Sequence, residues 1–191
     1  MLKSCIRPAF VYGTSFEMSY AVRLMGQQTV EQHRQQLIHL LQAAYSGELA
    51  AAYAYRGHWK SLSDPAEQES VRRIEQEEWV HREKVGRILC ALESGPLKLR
   101  EIKMSATGRA IGMLCHLTGW FMPMYFAGRL EGRNVCEYEA AAGHARGLGL
   151  TEFESELRLM ATFEREHEVF FMRTIATHRL LPLMRKIFGW G

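Results

Sequence analysis

The chain of 191 residues is 47 % hydrophobic and 24 % charged, with a formal net charge of +3. This length and apolar content are typical of one compact domain with a substantial core. The small net charge argues against nucleic acid as an obligatory partner. The four cysteines include no C-x-x-C pair. This excludes a zinc knuckle, a rubredoxin-type iron site and a thioredoxin motif, and it favours a reducing compartment.

Residues 1–28 show no clear hydrophobic period and are predicted to form an N-terminal arm. Lys3 and Pro8 interrupt the apolar stretch that a secretory signal peptide requires, and the basic residues before Glu17 only weakly resemble a transit peptide. The first helix is predicted to begin at Thr29, with Gln32 as its capping-box partner. It carries Glu48 on an apolar face and should fade near residues 57–60.

The second helix is predicted to begin at Asp64, which can cap it, with Pro65 in the first helical position and Glu67 closing a capping box. The helix should end at residues 94–96, Ser-Gly-Pro. It contains Glu78-x-x-His81, which places a carboxylate and an imidazole on one face, one turn apart. The apolar positions of the same face are Val71, Ile74, Val85, Ile88 and Leu92, so Glu78 and His81 occupy positions of a core seam. The nearby acids Glu75, Glu77 and Glu83 alternate with basic residues and are interpreted as a solvated face.

Residues 97–107 are predicted to connect two helical hairpins. The apolar run 110–128 follows, and it contains His116, Thr118, three glycines and Pro123. These residues disfavour a transmembrane span, which needs about 20 predominantly apolar residues. A buried, kinked helix is one interpretation, and a helix that lines an apolar pocket or dips into the bilayer face is the other.

Three acids of the third helix compete for the position facing the bundle, namely Glu131, Glu137 and Glu139. Tyr138 returns to within about 20° of the face of Glu131, whereas Glu137 and Glu139 point about 120° and 80° away. Glu131 is therefore predicted to bind metal, with Tyr138 hydrogen-bonded to a ligand.

The fourth helix is predicted to begin with Thr151 and Glu154 as a capping box and to run toward Pro182. It carries a second pair, Glu164-x-x-His167, on a seam with Leu157, Met160 and Phe171. Residues 181–191 mix basic and apolar side chains, which suits a membrane interface and equally a terminal helix packed on the bundle.

Two helical hairpins, each with one Glu and one Glu-x-x-His, constitute the ligand set of a ferritin-like dinuclear site. The sequence therefore predicts an all-α fold, a ferritin-like four-helix bundle over residues 29–180 with a long crossover between the hairpins. Burying carboxylates without compensation costs several kcal/mol or more (roughly), and a metal ion supplies the compensation. This oxygen and nitrogen set suits iron or manganese. The predicted ligands are Glu48, Glu78, His81, Glu131, Glu164 and His167.

The local sequence resembles the demethoxyubiquinone hydroxylase family of ubiquinone biosynthesis. Gly47-Glu48, Ala51, Tyr55 and Gly57 match that family's GE-xx-A-xxx-Y-x-G pattern, and Gly108, Gly112, Gly119 and Tyr138 have the family's spacing to Glu131. The resemblance covers roughly residues 35–175. Tyr45, Gly132 and Glu137 depart from the family's usual residues, which bears on the substrate and on electron delivery.

The resemblance implies a monooxygenase with two iron ions and dioxygen as co-substrate, which hydroxylates a prenylated quinone or a similar apolar aromatic. It implies a peripheral protein on the cytoplasmic side of a bacterial inner membrane, or on the mitochondrial inner membrane. A reductant of unknown identity is expected, and a homo-oligomer stays open. Iron oxidation or peroxide detoxification, as in ferritins and rubrerythrins, is the main alternative. A tRNA-modifying hydroxylase and a metal-free helical scaffold are less favoured.

Overall fold

The structure, a computed structural model, describes the backbone of residues 15–191 and the side chains of residues 29–191. Within this part of the chain there are only helices, turns and short connections. The helices are α1 (Ser15–Ser61), α2 (Pro65–Ala91), α3 (Lys98–Cys115), α4 (Phe121–Gly147), α5 (Thr151–Ile175) and α6 (Leu181–Phe188). The all-α prediction is thus confirmed.

The helices form a bundle of two hairpins, in which α1 packs on α2 and α4 packs on α5. Contacts between α1 and α4 join the hairpins, and α3 lies against α1. The connection between the hairpins, predicted for residues 97–107, is itself mostly the helix α3. It therefore adds a further wall to the bundle on the α1 side.

The N-terminus of α2 is capped by Asp64, as predicted. The Asp64 carboxylate accepts hydrogen bonds from the backbone N–H groups of Ala66 and Glu67, both at 2.9 Å, and Pro65 occupies the first turn. The Glu67 carboxylate, however, accepts the indole N–H of Trp120 at 2.7 Å. The predicted reciprocal capping box is therefore replaced by a contact between α2 and the start of α4.

The first helix begins at Ser15 rather than at the predicted Thr29. Residues 15–28 contain no proline and a single glycine, so nothing in their covalent chemistry interrupts a helix. Residues 1–14 of the predicted arm lie outside the described part of the chain.

The apolar run 110–128 is not one helix, and this part of the prediction is wrong. The chain leaves α3 after Cys115 and re-enters a helix at Phe121, with Gly119 at φ 74° in the connection. Pro123 then falls in the first turn of α4, where its missing N–H removes no hydrogen bond. None of the described helices combines the length and apolarity needed to cross a bilayer.

The C-terminal segment packs on the bundle. The fourth predicted helix ends at Ile175, and Pro182 opens the short helix α6, which buries Leu181 and Met184. The buried Tyr125 hydroxyl donates to the carbonyl oxygens of Met184 and Trp190, at 3.0 and 2.9 Å. The outer face of α6 remains exposed, including Leu183, Ile187 and Phe188.

Close backbone contact joins α1 to α3. A Cβ built at Gly108 would lie 2.3 Å from the Ala50 carbonyl oxygen, and one built at Gly57 would lie 2.3 Å from Gly112. Only residues without side chains permit such an approach. The glycines at 108 and 112 thus set the distance between the two helices.

Two hydrophobic clusters fill the bundle, one on each side of a polar layer. The first includes Leu37, Leu41, Val85, Ile88, Leu157 and Met160, and the second includes Ala51, Val71, Ile74, Phe171 and Ile175. On each of α1, α2 and α5, the acid or acid–histidine pair lies between these two clusters. The polar layer is therefore enclosed by apolar packing above and below.

Candidate metal centre

All six residues predicted as metal ligands meet in this polar layer. Each is at most 4 % exposed, and Glu78, Glu131 and Glu164 are fully buried. They come from four different helices, listed here in chain order: Glu48 from α1, Glu78 and His81 from α2, Glu131 from α4, and Glu164 and His167 from α5. The helical seams read from the sequence thus converge on one place.

The six residues form two overlapping groups, each with one donor atom per residue and all atoms within 4.8 Å of one another. One group contains Glu48, Glu78, His81 and Glu164, and the other contains Glu78, Glu131, Glu164 and His167. Glu78 and Glu164 belong to both, so the two groups share two carboxylates. Each group offers three carboxylates and one imidazole, a set that suits iron or manganese.

Potential donor atoms from five of the six residues lack other partners, which is the strongest sign that they fit a metal. Among the described residues, Glu48 Oε2, both Glu78 oxygens and Glu164 Oε1 are buried without a hydrogen bond, as are the Nδ1 atoms of His81 and His167. His81 Nδ1 lies 2.9 Å from Glu164 Oε1 but without the alignment of a hydrogen bond. Buried polar atoms are ordinarily satisfied, and a metal ion in this layer would satisfy these.

Three further side chains orient the carboxylates. The Tyr138 hydroxyl donates a short hydrogen bond to Glu48 Oε1, and the Tyr55 hydroxyl does the same to Glu131 Oε1. The Asn134 amide lies between Glu131 Oε2 and Glu164 Oε2, at 3.3 and 3.2 Å. These donors restrict carboxylate rotation while leaving lone pairs for a cation. The prediction placed Tyr138 beside a ligand and did not assign such roles to Tyr55 and Asn134.

Two acids predicted to lie on a solvated face of α2 have partners inside the bundle, although the Glu77 side chain remains 33 % exposed. Glu77 Oε2 is 2.6 Å from His167 Nε2, and Glu75 is buried, where it accepts from Arg56 and Trp59 at 2.8 and 2.7 Å. Glu83 is the most exposed of that set. The sequence did not predict these contacts, because Arg and Glu alternate in this segment as they do on ordinary solvent-facing helices.

Burial governs the ionisation of the carboxylates. Desolvation, reinforced by the charge of Glu164, raises the pKa of Glu78 and of Glu131 well above its usual value, and desolvation also raises the pKa of Glu48. Burial acts on Glu164 as well, but its interactions with the neighbouring Glu131 carboxyl and His81 imidazole outweigh burial and hold its pKa at about 2. Four carboxylates this close cannot all be ionised unless a cation compensates them.

The acids of α4 separate as the helical geometry predicts. Glu131 shares its buried face with Val135, Tyr138 and Ala142. Glu137 is partly exposed and pairs with Arg133 at 2.8 Å, and Glu139 is exposed and lies 3.4 Å from Arg165. Glu131 is therefore the acid of this set that reaches the polar layer.

A cavity of about 760 Å³ adjoins the polar layer on one side. Its walls come from α1, α3, α4 and the C-terminal segment, and they are mainly apolar. Ile111, Leu114, Met122, Phe126, Leu130 and Trp190 are among them, and Glu48, Tyr55, Asn134 and Tyr138 form its inner end. The apolar run thus lines a pocket, as one of its two interpretations predicted.

Comparisons of this chain with protein-family models, with curated proteins and with solved structures find nothing that matches. The site is therefore interpreted from its own geometry, together with the local sequence pattern around Glu48 and Glu131.

Proposed function

We propose that this protein is a ferritin-like di-iron monooxygenase, similar to the demethoxyubiquinone hydroxylase family, which hydroxylates a prenylated quinone or a similar apolar aromatic. The observation that carries the proposal is the contact between the buried Glu and His cluster and a large apolar cavity. Glu48 belongs to both, since it is one of the cluster's donors and lines the cavity.

Bound ferrous ions would supply two electrons to dioxygen, and an external reductant would restore these two electrons after each turnover. The overall reaction consumes one substrate C–H group, dioxygen, these two electrons and two protons, and it yields one hydroxyl group and water. The residues of the chain hold the ions, exclude water and orient the substrate. A dry site suits this task because it limits side reactions of activated oxygen.

The cavity indicates the class of substrate. Its volume lies within the range of about 300–1,000 Å³ usual for small-molecule sites, and its walls suit an apolar molecule. Asn134 and the hydroxyls of Tyr55 and Tyr138 lie at the end of the cavity beside the cluster. The other polar residues of the lining include His58, Thr107, Thr118, Arg129, Arg133 and Glu137. A ring with polar substituents would occupy the end beside the cluster, and an aliphatic chain would extend between α3 and α4.

Iron oxidation or storage is the alternative, and peroxide detoxification belongs to the same class. These activities need access for ions or small oxidants and have no use for a large apolar pocket. The cavity therefore favours hydroxylation, and the product of turnover with dioxygen separates the two functions.

The decisive experiment is lipid extraction from the iron-loaded protein, followed by turnover with dioxygen, a prenylated quinol and a chemical reductant. A product heavier by one oxygen atom, detected by mass spectrometry, is the expected result. Accumulation of a large ferric core without an oxygenated product would instead establish the storage function.

We also propose that the protein binds the surface of an anionic membrane around the mouth of this cavity. Phe126 and Phe188 line the cavity and are exposed, Trp120 is exposed just before α4, and Arg185 and Lys186 are exposed on α6. Phe121, Met124 and Tyr125 belong to the apolar run for which contact with the bilayer was one interpretation, but they lie in the core. Their burial reduces the apolar surface available for the bilayer.

Flotation with liposomes tests this membrane proposal. Vesicles containing phosphatidylserine should carry the protein to the top of a density gradient at low salt, and a Phe126→Ser, Phe188→Ser variant should remain at the bottom. If the unmodified protein also stays at the bottom, the membrane proposal is wrong.

A further inference from the structure

The residue that precedes each Glu-x-x-His pair contacts the histidine of the other pair. Glu77 precedes Glu78, and its carboxylate oxygen Oε2 lies 2.6 Å from Nε2 of His167. Phe163 precedes Glu164, and its ring lies 5.8 Å from the ring of His81, measured between centroids. The two positions are equivalent in the repeat of the two hairpins, yet one offers a carboxylate and the other a phenyl ring.

The carboxylate fixes the proton of His167. Since an ionised carboxylate only accepts hydrogen bonds, Nε2 of His167 carries a proton, and in the neutral imidazole that binds a metal Nδ1 keeps its lone pair. Nδ1 is buried, has no hydrogen-bond partner within the described residues, and lies 3.6 Å from Glu78 Oε1. The free lone pair is thus directed into the group of donors that contains Glu131.

His81 has no such partner among the described side chains. Its one carboxylate neighbour within ion-pair distance is Glu164, which approaches Nδ1 on the side of the cluster. The two donor groups are otherwise matched, because each has three carboxylates and one imidazole. The two donor groups therefore differ in whether the imidazole has a carboxylate partner on the side away from the cluster.

We propose that Glu77 is a positioning residue for one metal position alone, the one that His167 serves. A hydrogen bond from the far nitrogen of a ligating imidazole to a carboxylate fixes its tautomer and raises its basicity, and loss of such a partner typically lowers metal affinity about 10–100-fold. Glu77 therefore makes the two positions of the cluster unequal. This inference rests on the proposed two-metal site and adds an asymmetry within it.

The test is an anaerobic titration with Co²⁺, followed by its visible absorption and by calorimetry, on four variants and the unmodified protein. Glu77→Gln should weaken one of two binding steps by about tenfold, and Glu77→Ala by up to about 100-fold, with the other step unchanged. Phe163→Glu places a carboxylate at the equivalent position beside His81. It should strengthen the binding step that the Glu77 variants leave unchanged. Glu83→Gln, an exposed acid of the same helix, is the matched control and should change neither step.

The outcomes separate this inference from the proposed function. If the unmodified protein binds no Co²⁺, the metal site itself is refuted. If it binds two ions and Glu77→Ala weakens both steps equally or neither, the positioning role is refuted while the site stands. The thermal midpoint of unfolding without Co²⁺, measured on every variant, distinguishes a loss of affinity from a loss of fold.

Discussion

At the scale of single residues, three acids of α4 differ in their environment. One is a predicted metal ligand in the core, and two lie at the surface. Glu131 is fully buried beside Glu164, whereas Glu137 and Glu139 pair with arginines at the surface. An ion pair at the surface contributes about 0–1 kcal/mol to the free energy of folding. The loss of a buried metal ligand, in contrast, is not compensated by another residue. Neighbouring acids on one helix thus have unrelated roles.

We expect Glu131→Ala to lower iron occupancy sharply and to abolish iron-dependent turnover, because one donor group loses a carboxylate. Glu137→Ala and Glu139→Ala should retain both irons. Iron per chain, measured by elemental analysis after expression with iron, provides the comparison. Retention of two irons by Glu131→Ala together with their loss from Glu137→Ala would contradict the assignment.

His58 is a buried residue outside the donor set. It is 2 % exposed, stacks on the rings of Tyr55 and Phe171, and has an Nε2 atom without a hydrogen bond among the described residues. Burial lowers the pKa of His58 to about 4. The folded protein therefore holds this imidazole neutral under conditions in which an unfolded chain would protonate it.

The pKa of His58 predicts a loss of stability in acid. Between its ordinary value of 6.5 and its folded value of about 4, the unfolded state binds more protons than the folded state, so stability falls as the pH falls through this window. The contribution is about 2 kcal/mol between pH 7 and pH 5. Urea unfolding of the protein and of His58→Leu at both pH values measures it. An equal pH dependence of the two proteins would argue against it.

At the scale of helices, the sequence predicted the elements with strong end signals and missed those decided by packing. Asp64-Pro65 marked the start of α2 because a cap and a proline act locally. The break between α3 and α4 was missed, because Pro123 was read as an internal kink rather than as the first turn of a new helix. The helical connection α3 depends on contact with α1, which no local pattern reports.

The ligands were predictable for a related reason. Glu78, His81, Glu164 and His167 interrupt apolar seams, and a polar residue in a seam is informative on its own. Glu77 lies one position away, in a charged run typical of a solvated face. Its contact with His167 depends on how α2 and α5 face each other, and a single helix carries no trace of that arrangement.

The contact between α1 and α3 should be sensitive to a single methyl group. Gly108→Ala places a Cβ 2.3 Å from the backbone oxygen of Ala50, so the helices must separate. We expect a loss of about 1–3 kcal/mol in the free energy of unfolding, since this is the usual cost of overpacking. Chemical denaturation measures it.

Gly143→Ala is the matched control for this substitution. Gly143 also lies within a helix, and a Cβ there meets nothing within 4 Å. The replacement should stabilise the protein by about 0.5–1 kcal/mol through helix propensity alone. Equal effects of the two substitutions would show that the close approach of α1 and α3 is unimportant.

At the scale of the whole molecule, we expect the stability of the bundle to depend on a cation bound in the polar layer. The layer lies between two apolar clusters and contains four carboxylates that repel one another when ionised. A cation that binds the folded state alone stabilises it by about 2.7 kcal/mol at 100 times its dissociation constant.

Differential scanning calorimetry should therefore show a lower melting temperature after chelation, and re-addition of Fe²⁺ without oxygen should restore it. Mg²⁺, which prefers oxygen donors and keeps several waters, should restore less. A melting temperature that is indifferent to both ions would mean that the folded layer holds no cation.

The cavity touches only part of the bundle. Its walls come from α1, α3, α4 and the C-terminal segment, whereas no described residue of α2 or α5 lines it. The two predicted imidazole ligands, His81 and His167, lie on the two helices that the cavity does not reach, so the cavity lining and these histidines come from separate parts of the sequence. Substitutions in α3 or on the outer face of α4 can therefore reshape the pocket for another ligand. The helices α2 and α5, which carry the two histidines, would be unchanged. Related proteins could therefore differ in the substrate that they bind while they keep the same metal chemistry.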